Sequence, residues 1–560
     1  MCGLGEDSRR HPTCGSDNLR LEDGEETMRI RPGGRQIRPR ALFLITIILL
    51  LRQRRRAGNL PPGPRPWPVI GNLNLIGPLP HHSIHELSQR YGPLMSLRFG
   101  SSLVVVGSSV ETARFFLKEQ DLAFIDRPRT AAGRYTTYNY CGMMWTPYGP
   151  YWRQGRKLWK AEVLNARRLK SLEHVRNDEV RTMLRDLHDV RGAIVAIREH
   201  LYMLNLNVIS RMVLGKKYVV VDAAAGSASA IMSPEEFRWM LEEQMFLNGA
   251  LNIGDMIPWL GWLDPQGYVK RMKRVARMFD RFLEQVLDEH VERRRREGEA
   301  FAAKDMVDVL LELADDPNLE VPIHRDGVKG NILELIGGGT DTSAITIEWA
   351  MSELLRNPEV LVKATEELDR VIGFERLVSE EDIPSLPYIE AVVKETMRMH
   401  PVAALLPPRL SREDTSFGGH HIPAGTRVLI NVWAIGRDPK VWESPTEFRP
   451  ERFVGSSVDV KGQDYQLLPF GSGRRMCPGI GLGLKMVQLT LANLLHAFVW
   501  RLPDGVAPDE LSMEEKFGLT VPRMVPLQAV ADPKLPAHLY ALHPGVPSSS
   551  LSPSNQYHFE

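Results

Sequence analysis

The sequence FGSGRRMCPG, from Phe470 to Gly479, places one cysteine in a loop of glycines and arginines, directly before an apolar, helix-forming stretch. Neighbouring guanidinium groups, backbone N–H groups and the start of a helix all stabilise a thiolate relative to a thiol. The loop therefore predicts that Cys477 is the axial thiolate ligand of a haem iron. A buried cysteine in a glycine-rich turn is the alternative.

Other residues of the loop fit the same interpretation. Gly473 and Gly479 allow the backbone to approach a flat macrocycle closely, because they carry no side chain. Phe470 can pack beside the sulfur atom, and Arg475 can pair with a haem propionate. Together they define a candidate haem site at the beginning of a C-terminal helix.

The loop matches the pattern Phe-x-x-Gly-x-Arg-x-Cys-x-Gly at every fixed position. In this it resembles the haem-binding signature of the cytochrome P450 monooxygenases. The resemblance implies the cytochrome P450 fold, which is mainly α with a small β lobe. It also implies a haem-thiolate monooxygenase that uses dioxygen, with haem b as cofactor and electrons from NADPH supplied through a separate partner, NADPH-cytochrome P450 reductase.

A second motif, ETMR, places the carboxylate of Glu395 and the guanidinium of Arg398 on one helical face, because residues at i and i+3 are neighbours there. By resemblance to the family, Arg452 joins them in a buried cluster that locks the scaffold behind the haem. For the motif taken alone, a solvated ion pair is the alternative.

One long apolar helix is predicted from Gly330 to Asn357, ending before Pro358. Glycines 337–339 lie in its middle and cost about 1 kcal/mol each in a helix interior, so they predict a local distortion. The pair that follows resembles the oxygen-activation motif of the family. There Thr342 would hold water and the distal oxygen, and Asp341 would connect that site to a proton source.

Three further residues are assigned to the haem by resemblance. Trp152 and Arg156 lie in the stretch YWRQGR, residues 151–156, which is similar to a family helix whose tryptophan and arginine contact the propionates. Arg409 follows two prolines, at a position where the family often has another propionate donor.

Composition limits the other possibilities. The chain has 560 residues, of which 43% are hydrophobic, and its formal net charge is +1, so nucleic-acid binding is not indicated. Helical periodicity dominates residues 61–540 and no linker divides them, which predicts a single catalytic domain. Short β-like runs predict a small sheet at Leu94–Phe99, Leu103–Val106 and Arg427–Asn431.

The two ends of the chain differ from this domain. Residues 1–40 are polar and are expected to be a disordered extension, and residues 41–60 are interpreted as a short membrane-anchor remnant followed by basic residues. The apolar segment Ala41–Leu51 would reach about 16 Å as a helix, about half of a bilayer core. Family resemblance implies the endoplasmic reticulum membrane, with the catalytic domain facing the cytosol. Residues 541–560 are expected to be a disordered Ser/Pro-rich tail.

The substrate pocket is assigned by family position. The apolar loop Met256–Trp262 would cover the pocket and dip into the membrane, the alternative being a buried connector with two core tryptophans. Side chains expected to line the pocket are Phe246, Ala403, Leu405 and Leu519.

From Pro61 to about Tyr540 the sequence resembles plant microsomal cytochromes P450, in the subgroup that holds homoterpene synthases and flavonoid 3'-monooxygenase-like proteins. This implies a small lipophilic plant metabolite of the terpenoid or flavonoid/phenylpropanoid class as substrate. Two other functions stay open: a haem-thiolate isomerase or dehydratase that acts without dioxygen, and a non-catalytic haem-binding protein. The Asp341-Thr342 pair argues against both, because neither needs proton delivery to oxygen.

Overall fold

The computed structural model describes residues 59–218 and 232–541. The predicted extension 1–40, the apolar segment Ala41–Leu51 and the tail beyond residue 541 lie outside the described residues. Among the described residues, no helix combines the length and the apolar composition that crossing a bilayer requires.

Helices dominate the described chain, as the sequence predicts. In chain order they are Pro80–Tyr91 (α1), Val110–Arg114 (α2), Ala131–Thr136 (α3), Pro150–Leu158 (α4), Ala166–Ser171 (α5), Glu173–Asp189 (α6), Ile197–Leu214 (α7), Pro234–Gly249 (α8), Ile253–Met256 (α9), Tyr268–Glu297 (α10), Met306–Ala314 (α11), Arg325–Arg356 (α12), Pro358–Ile372 (α13), Pro387–Met399 (α14), Val432–Ile435 (α15) and Ile480–Ala497 (α16).

The strands form small sheets beside the helices. They are Leu94–Phe99 (β1), Ser102–Gly107 (β2), Ile194–Ala196 (β3), Arg409–Leu410 (β4), Thr415–Phe417 (β5), His420–Ile422 (β6), Arg427–Ile430 (β7), Phe498–Arg501 (β8) and Gln528–Pro533 (β9). One sheet has the order β1-β2-β7-β4, in which β2 and β7 are parallel and the other pairs antiparallel. A three-stranded sheet has the order β3-β9-β8, and β5 pairs with β6. The mainly α fold with a small β lobe is confirmed.

The helix α12 lies at the centre of the domain, where it packs against α7 and α16. It is buried on most of its faces, as a helix that is apolar all round should be. It ends at Arg356, because a residue that precedes proline, here Asn357, is disfavoured in helical conformation. It begins five residues before the predicted start, since its first turns are polar and give no apolar pattern.

The cysteine loop leads directly into α16, whose first residue is Ile480. Because α16 packs along α12, the loop at its N-terminal end faces the middle of α12. The fold thus brings two segments more than a hundred residues apart to opposite sides of one cavity.

The scaffold next to α14 contains a buried charge cluster. The Glu395 carboxylate accepts from Arg398 at 2.7 and 2.8 Å and from Arg452 at 3.0 Å. Glu395 and Arg398 have no exposed side-chain surface. The other Arg398 donors reach the carbonyl groups of Gly436, Pro445 and Glu447. Loss of one member of such a cluster leaves a buried charge unpaired, which typically costs about 3–5 kcal/mol.

Candidate active site

A cavity of about 360 Å³ lies between the cysteine loop and α12, within the size range of small-molecule sites. Cys477 and Phe470 line one side of it, and Gly338 and Thr342 line the opposite side. The predicted thiolate and the predicted oxygen-site threonine therefore face the same space.

The backbone fixes the position of Cys477. Its N–H donates to the Phe470 carbonyl at 2.9 Å, and the turn before it closes through a bond from Met476 N–H to the Gly473 carbonyl at 3.1 Å. Burial raises the pKa of the Cys477 thiol, while the Gly479 N–H and the Arg156 charge act in the opposite direction. The effect of burial on the Cys477 pKa is therefore larger than that of the nearby positive charge. A metal cation bound to the sulfur would keep Cys477 in the thiolate form.

The two glycines assigned to the macrocycle have different surroundings. Gly479 caps α16 and lines the cavity. Gly473 does not line it: its φ of +72° is in the left-handed region, and a Cβ there would collide with the Leu117 carbonyl. Position 473 therefore requires glycine because the loop packs against residues 115–119. The prediction that glycine is needed there for close approach to the macrocycle is corrected.

Four of the described arginines line the cavity: Arg127, Arg156, Arg409 and Arg475. Burial lowers the pKa of each, that of Arg475 to about 9. Arg409 pairs with Asp121 at 3.0 Å. The other three arginines donate to main-chain carbonyl groups. Arg127 binds those of Met144, Pro407 and Pro408, and Arg156 binds that of Met476. Arg475 binds those of Ile125, Met143 and Thr146. Guanidinium groups gathered on one buried side fit a ligand with two carboxylates, such as haem.

Trp152 also lines the cavity, next to Arg475. Its indole N–H donates to the Met143 carbonyl at 3.2 Å, and the Arg475 guanidinium lies 4.4 Å from its ring centroid. The indole N–H is thus directed to the backbone, and the ring supports Arg475 through a cation–π contact.

The helix α12 is continuous through glycines 337–339, so the predicted distortion is not found. The glycines allow close packing instead. A Cβ at Gly337 would lie 2.8 Å from the end of Met245, one at Gly339 would collide with Ile209, and Gly338 faces the cavity. The Thr342 hydroxyl donates to the Gly338 carbonyl at 2.8 Å, which leaves its oxygen lone pairs free to accept a bond from the cavity side.

Asp341 lies beside the cavity rather than in its lining. Its Oδ2 accepts a hydrogen bond of 2.7 Å from the hydroxyl of Thr520, a residue near the C-terminus that does line the cavity. Burial raises the pKa of Asp341 to about 6. A carboxyl group with this pKa can both accept and release a proton near neutral pH.

Comparison with known proteins agrees with this geometry. The family model described as cytochrome P450 matches residues 61–525. The chain belongs to the cytochrome P450 family. The match includes the cysteine loop, α12 and the buried Glu-Arg-Arg cluster, and such an enzyme is a haem-thiolate monooxygenase.

The chain is similar to plant members of the P450 family over most of its length. It is 53% identical to a trimethyltridecatetraene synthase of Zea mays, over 87% of this chain and 91% of the relative. It is 49% identical to a dimethylnonatriene synthase of Zea mays, over 90% and 97%. It is 43% identical to a flavonoid 3'-monooxygenase of Petunia hybrida, over 89% and 97%. These relatives confirm the subgroup that the sequence indicates.

A solved structure of a zebra fish cytochrome P450 with abiraterone has the same fold. Its TM-score is 0.67 at 26% sequence identity, and the match covers 81% of this chain and all of the other. The P450 fold is therefore confirmed by structure as well as by sequence.

Three residues of this P450 site are missing from the sequence predictions: Arg127, Thr520 and Glu334. The Glu334 carboxylate accepts from the Met144 N–H at 3.1 Å, and burial raises its pKa to about 7. Glu334 precedes Thr342 by eight residues, a spacing that places both side chains on the cavity side of α12. This spacing is the one sequence signal that could have identified Glu334. Neither Arg127 nor Thr520 lies in a motif, so their positions depend on the tertiary fold.

Two of the four predicted pocket residues lie in the cavity lining. Ala403 and Leu519 line the cavity, whereas Phe246 and Leu405 do not. Phe246 packs against Tyr268, because the inward face of α8 carries the lining residues Gln244, Met245 and Asn248. Leu405 pairs with Asn431 next to the small sheet, and Leu406 lines the cavity in its place.

Two other groups of possible metal ligands occur among the described residues, and each is linked by hydrogen bonds or ion pairs. Glu515 accepts from His81 at 2.7 Å and from His82 at 2.9 Å. The second group consists of His290, Asp305 and Asp308. In it His290 pairs with Asp305, and Arg293 pairs with both aspartates. Neither group lies in the lining of the P450 cavity.

We expect Gly473→Ala to destabilise the cysteine loop. A left-handed residue other than glycine costs about 1–2 kcal/mol, and the collision with the Leu117 carbonyl adds to this. The thermal unfolding midpoint of the holoenzyme, followed by circular dichroism, should fall by several degrees. The matched control is Gly481→Ala in α16, where the added Cβ meets Leu169 at an ordinary 3.6 Å. Equal midpoints for the two variants would contradict the explanation given for Gly473.

Proposed function

We propose that this P450 oxidises a small lipophilic plant metabolite of the terpenoid or flavonoid/phenylpropanoid class, with electrons from NADPH through NADPH-cytochrome P450 reductase. The observation that carries the proposal is the position of Cys477 and Thr342 on opposite sides of one largely apolar cavity. When bound, haem supplies activation of dioxygen and insertion of one of its oxygen atoms into the substrate.

In this proposal the chain holds the haem from two directions. Cys477 would hold the haem iron through its sulfur, since the bond of its N–H to the Phe470 carbonyl and the start of α16 fix its position. Arg127, Arg156, Arg409 and Arg475 would bind the two propionates, since these four arginines line the cavity and their charges are incompletely paired. Trp152 keeps the Arg475 side chain in place.

On the opposite side, α12 supplies the groups that handle protons. Gly338 leaves space on the cavity wall, because it has no side chain, and Thr342 presents a hydroxyl oxygen next to that space. Asp341 directly precedes Thr342 in the sequence and, with a pKa of about 6, can pass a proton from solvent toward Thr342. Oxygen chemistry that needs protons at this place favours a monooxygenase over an isomerase or a ligand carrier.

The lining favours an apolar substrate, with a terpenoid as the first candidate. Aliphatic and methionine side chains dominate the surface beyond the haem side: Ile209, Met212, Val213, Met245, Val402, Ala403, Leu406 and Leu519. The lining also carries polar side chains such as Gln244 and Asn248, but most of its surface is apolar, which suits a flexible hydrocarbon chain that needs no polar group to orient it. The relatives with the two highest identities given above are named for the acyclic hydrocarbons trimethyltridecatetraene and dimethylnonatriene, which supports the same order.

We also propose attachment to the endoplasmic reticulum membrane, with the catalytic domain in the cytosol. Trp259 and Trp262 are 63% and 82% exposed, so the alternative of two core tryptophans is wrong. Trp67 is exposed as well. The Trp67 and Trp259 segments are linked through the β1–β2 turn, because Gly100 N–H bonds the Ile70 carbonyl and Ser101 N–H bonds the Met256 carbonyl. One apolar face of this kind suits insertion into a bilayer surface.

The function is tested with the full chain and its Cys477→Ala variant. We expect the wild type, reduced and treated with carbon monoxide, to give the Soret band of a thiolate-ligated haem, and the variant to lose it, because the axial ligand sets that spectrum. With reductase and NADPH, the wild type should convert acyclic terpenoids or flavonoids to products that contain an oxygen atom from ¹⁸O₂. Product without NADPH would indicate the isomerase or dehydratase, and the thiolate spectrum with no turnover of any substrate would indicate a haem-binding protein.

Replacement of a propionate-binding arginine should speed haem loss. A hydrogen bond to a charged group contributes about 1.5–3 kcal/mol, so we expect Arg127→Met to release haem about 10 to 150 times faster. Transfer of haem to apomyoglobin measures this rate. The control is Arg501→Met, which changes an exposed side chain of strand β8. An unchanged rate for Arg127→Met would mean that Arg127 only supports the loops whose carbonyl groups it binds.

Attachment through the exposed aromatic face is tested with Trp259→Ser/Trp262→Ser in the full chain. Loss of two inserted indole rings should weaken binding to phosphatidylcholine vesicles by at least about tenfold, measured by co-sedimentation. The control variant is Phe374→Ser, which removes an exposed aromatic ring elsewhere on the domain. If both variants bind as the wild type does, the face does not insert.

A further inference from the structure

The C-terminal loop Glu514–Met524 reaches from the surface to the cavity. It is closed at its base by bonds from Met524 N–H to the Glu514 carbonyl at 2.7 Å and from Lys516 N–H to the Pro522 carbonyl at 2.9 Å. Its tip, Leu519 and Thr520, lines the cavity. The loop therefore brings side chains from the end of the chain next to the middle of α12.

The tip is fixed on three sides. Leu519 N–H donates to the Met245 carbonyl at the end of α8, and Val521 N–H donates to the Val402 carbonyl. Between these backbone bonds, the Thr520 hydroxyl donates to Asp341 Oδ2 at 2.7 Å. Thr520 is 5% exposed, so water competes little for this bond.

Asp341 has few other groups to orient it. Within the part of the chain that the structure describes, the bond from Thr520 is its one side-chain hydrogen bond. The charged and titratable groups that face it come from three helices: Arg198 and Tyr202 of α7, Glu242 of α8 and Glu348 of α12. Arg198 is itself paired with Glu348 at 2.8 Å. The carboxyl group of Asp341 is thus held in direction by Thr520 rather than by an ion pair.

We propose that Thr520 is a positioning residue for proton delivery, whose hydroxyl holds the Asp341 carboxyl group in the orientation from which it serves Thr342. Leu519 precedes it in the cavity lining, so a bound substrate packs against the same loop tip that orients Asp341. A substrate that fits the tip therefore keeps the proton path intact.

The orientation of Asp341 then decides how the electrons from NADPH are divided between substrate oxidation and peroxide formation. This consequence rests on the NADPH supply proposed above. Coupled turnover is RH + O₂ + NADPH + H⁺ → ROH + H₂O + NADP⁺. When proton delivery is disturbed, the same two electrons reduce dioxygen to hydrogen peroxide, in O₂ + NADPH + H⁺ → H₂O₂ + NADP⁺. The ratio of product to NADPH consumed therefore reports on the path that Thr520 maintains.

The test uses Thr520→Val, which keeps the shape of the side chain and removes the hydroxyl, and Thr520→Ser, which keeps the hydroxyl. The control is Thr340→Val in α12, because the buried Thr340 hydroxyl bonds the Ile336 carbonyl and not Asp341. In reconstituted holoenzyme we expect about tenfold more peroxide per product for Thr520→Val, and near wild-type coupling for Thr520→Ser and Thr340→Val.

A second readout does not depend on turnover. Burial raises the pKa of Asp341 and the Thr520 hydrogen bond lowers it, so Thr520→Val should raise it further. We expect the pH midpoint of the Asp341 carboxyl band, assigned with Asp341→Asn in infrared difference spectra of the holoenzyme, to rise by about one pH unit, since a bond to a charged group contributes about 1.5 kcal/mol.

Three results would overturn the proposal: an unchanged carboxyl midpoint in Thr520→Val, unchanged coupling in that variant, or equal uncoupling in Thr520→Ser and Thr520→Val. Any of them would mean that Thr520 contributes by packing alone. The infrared titration needs neither reductase nor substrate. A wild type without NADPH-dependent product would therefore count against the proposed function and leave the Thr520 bond to be decided by the titration.

Discussion

The burial of positive charge beside an apolar cavity is the constraint on which the rest of this structure depends. Arg127 and Arg409 are buried, and Arg156 and Arg475 are half-buried. Asp121 is the one carboxylate among the described residues that pairs directly with any of these arginines. Such an arrangement is costly unless main-chain carbonyl groups and a bound anion complete it. Both are consistent with a haem site, which explains why the surrounding loops present so many carbonyl groups to these side chains.

The fold and the thiolate side could be predicted because their signals are local. The cysteine loop, the long apolar helix and the Glu395–Arg398 spacing each lie within a short stretch of sequence, where chain geometry fixes which side chains are neighbours. The predicted strand Leu94–Phe99 has the same bounds in the structure. Family resemblance then supplied the long-range partner Arg452, which its spacing alone could not identify.

The remainder depends on tertiary packing, which no local pattern contains. Thr520 meets Asp341 from 179 residues away, and Arg127 reaches the carbonyl groups of Pro407 and Pro408. A glycine run predicts a weak helix, yet neighbouring side chains packed against Gly337 and Gly339 stabilise a continuous one. The predictions of Phe246 and Leu405 each miss a lining residue by one position, since Met245 and Leu406 line the cavity. Position along an element does not determine which of its faces meets the cavity.

The two sides of the cavity are anchored in different ways. The thiolate side rests on α16 and on buried backbone bonds, whereas the opposite side is completed by a loop of the C-terminal region. Glu515 fixes the base of that loop. Burial opposes ionisation of the Glu515 carboxyl group, yet hydrogen bonds from His81 and His82 hold its pKa well below the ordinary value. Trp433 donates to the other carboxylate oxygen at 3.3 Å. This charged anchor ties the loop whose Thr520 binds Asp341 to α1, and thus to the N-terminal part of the domain.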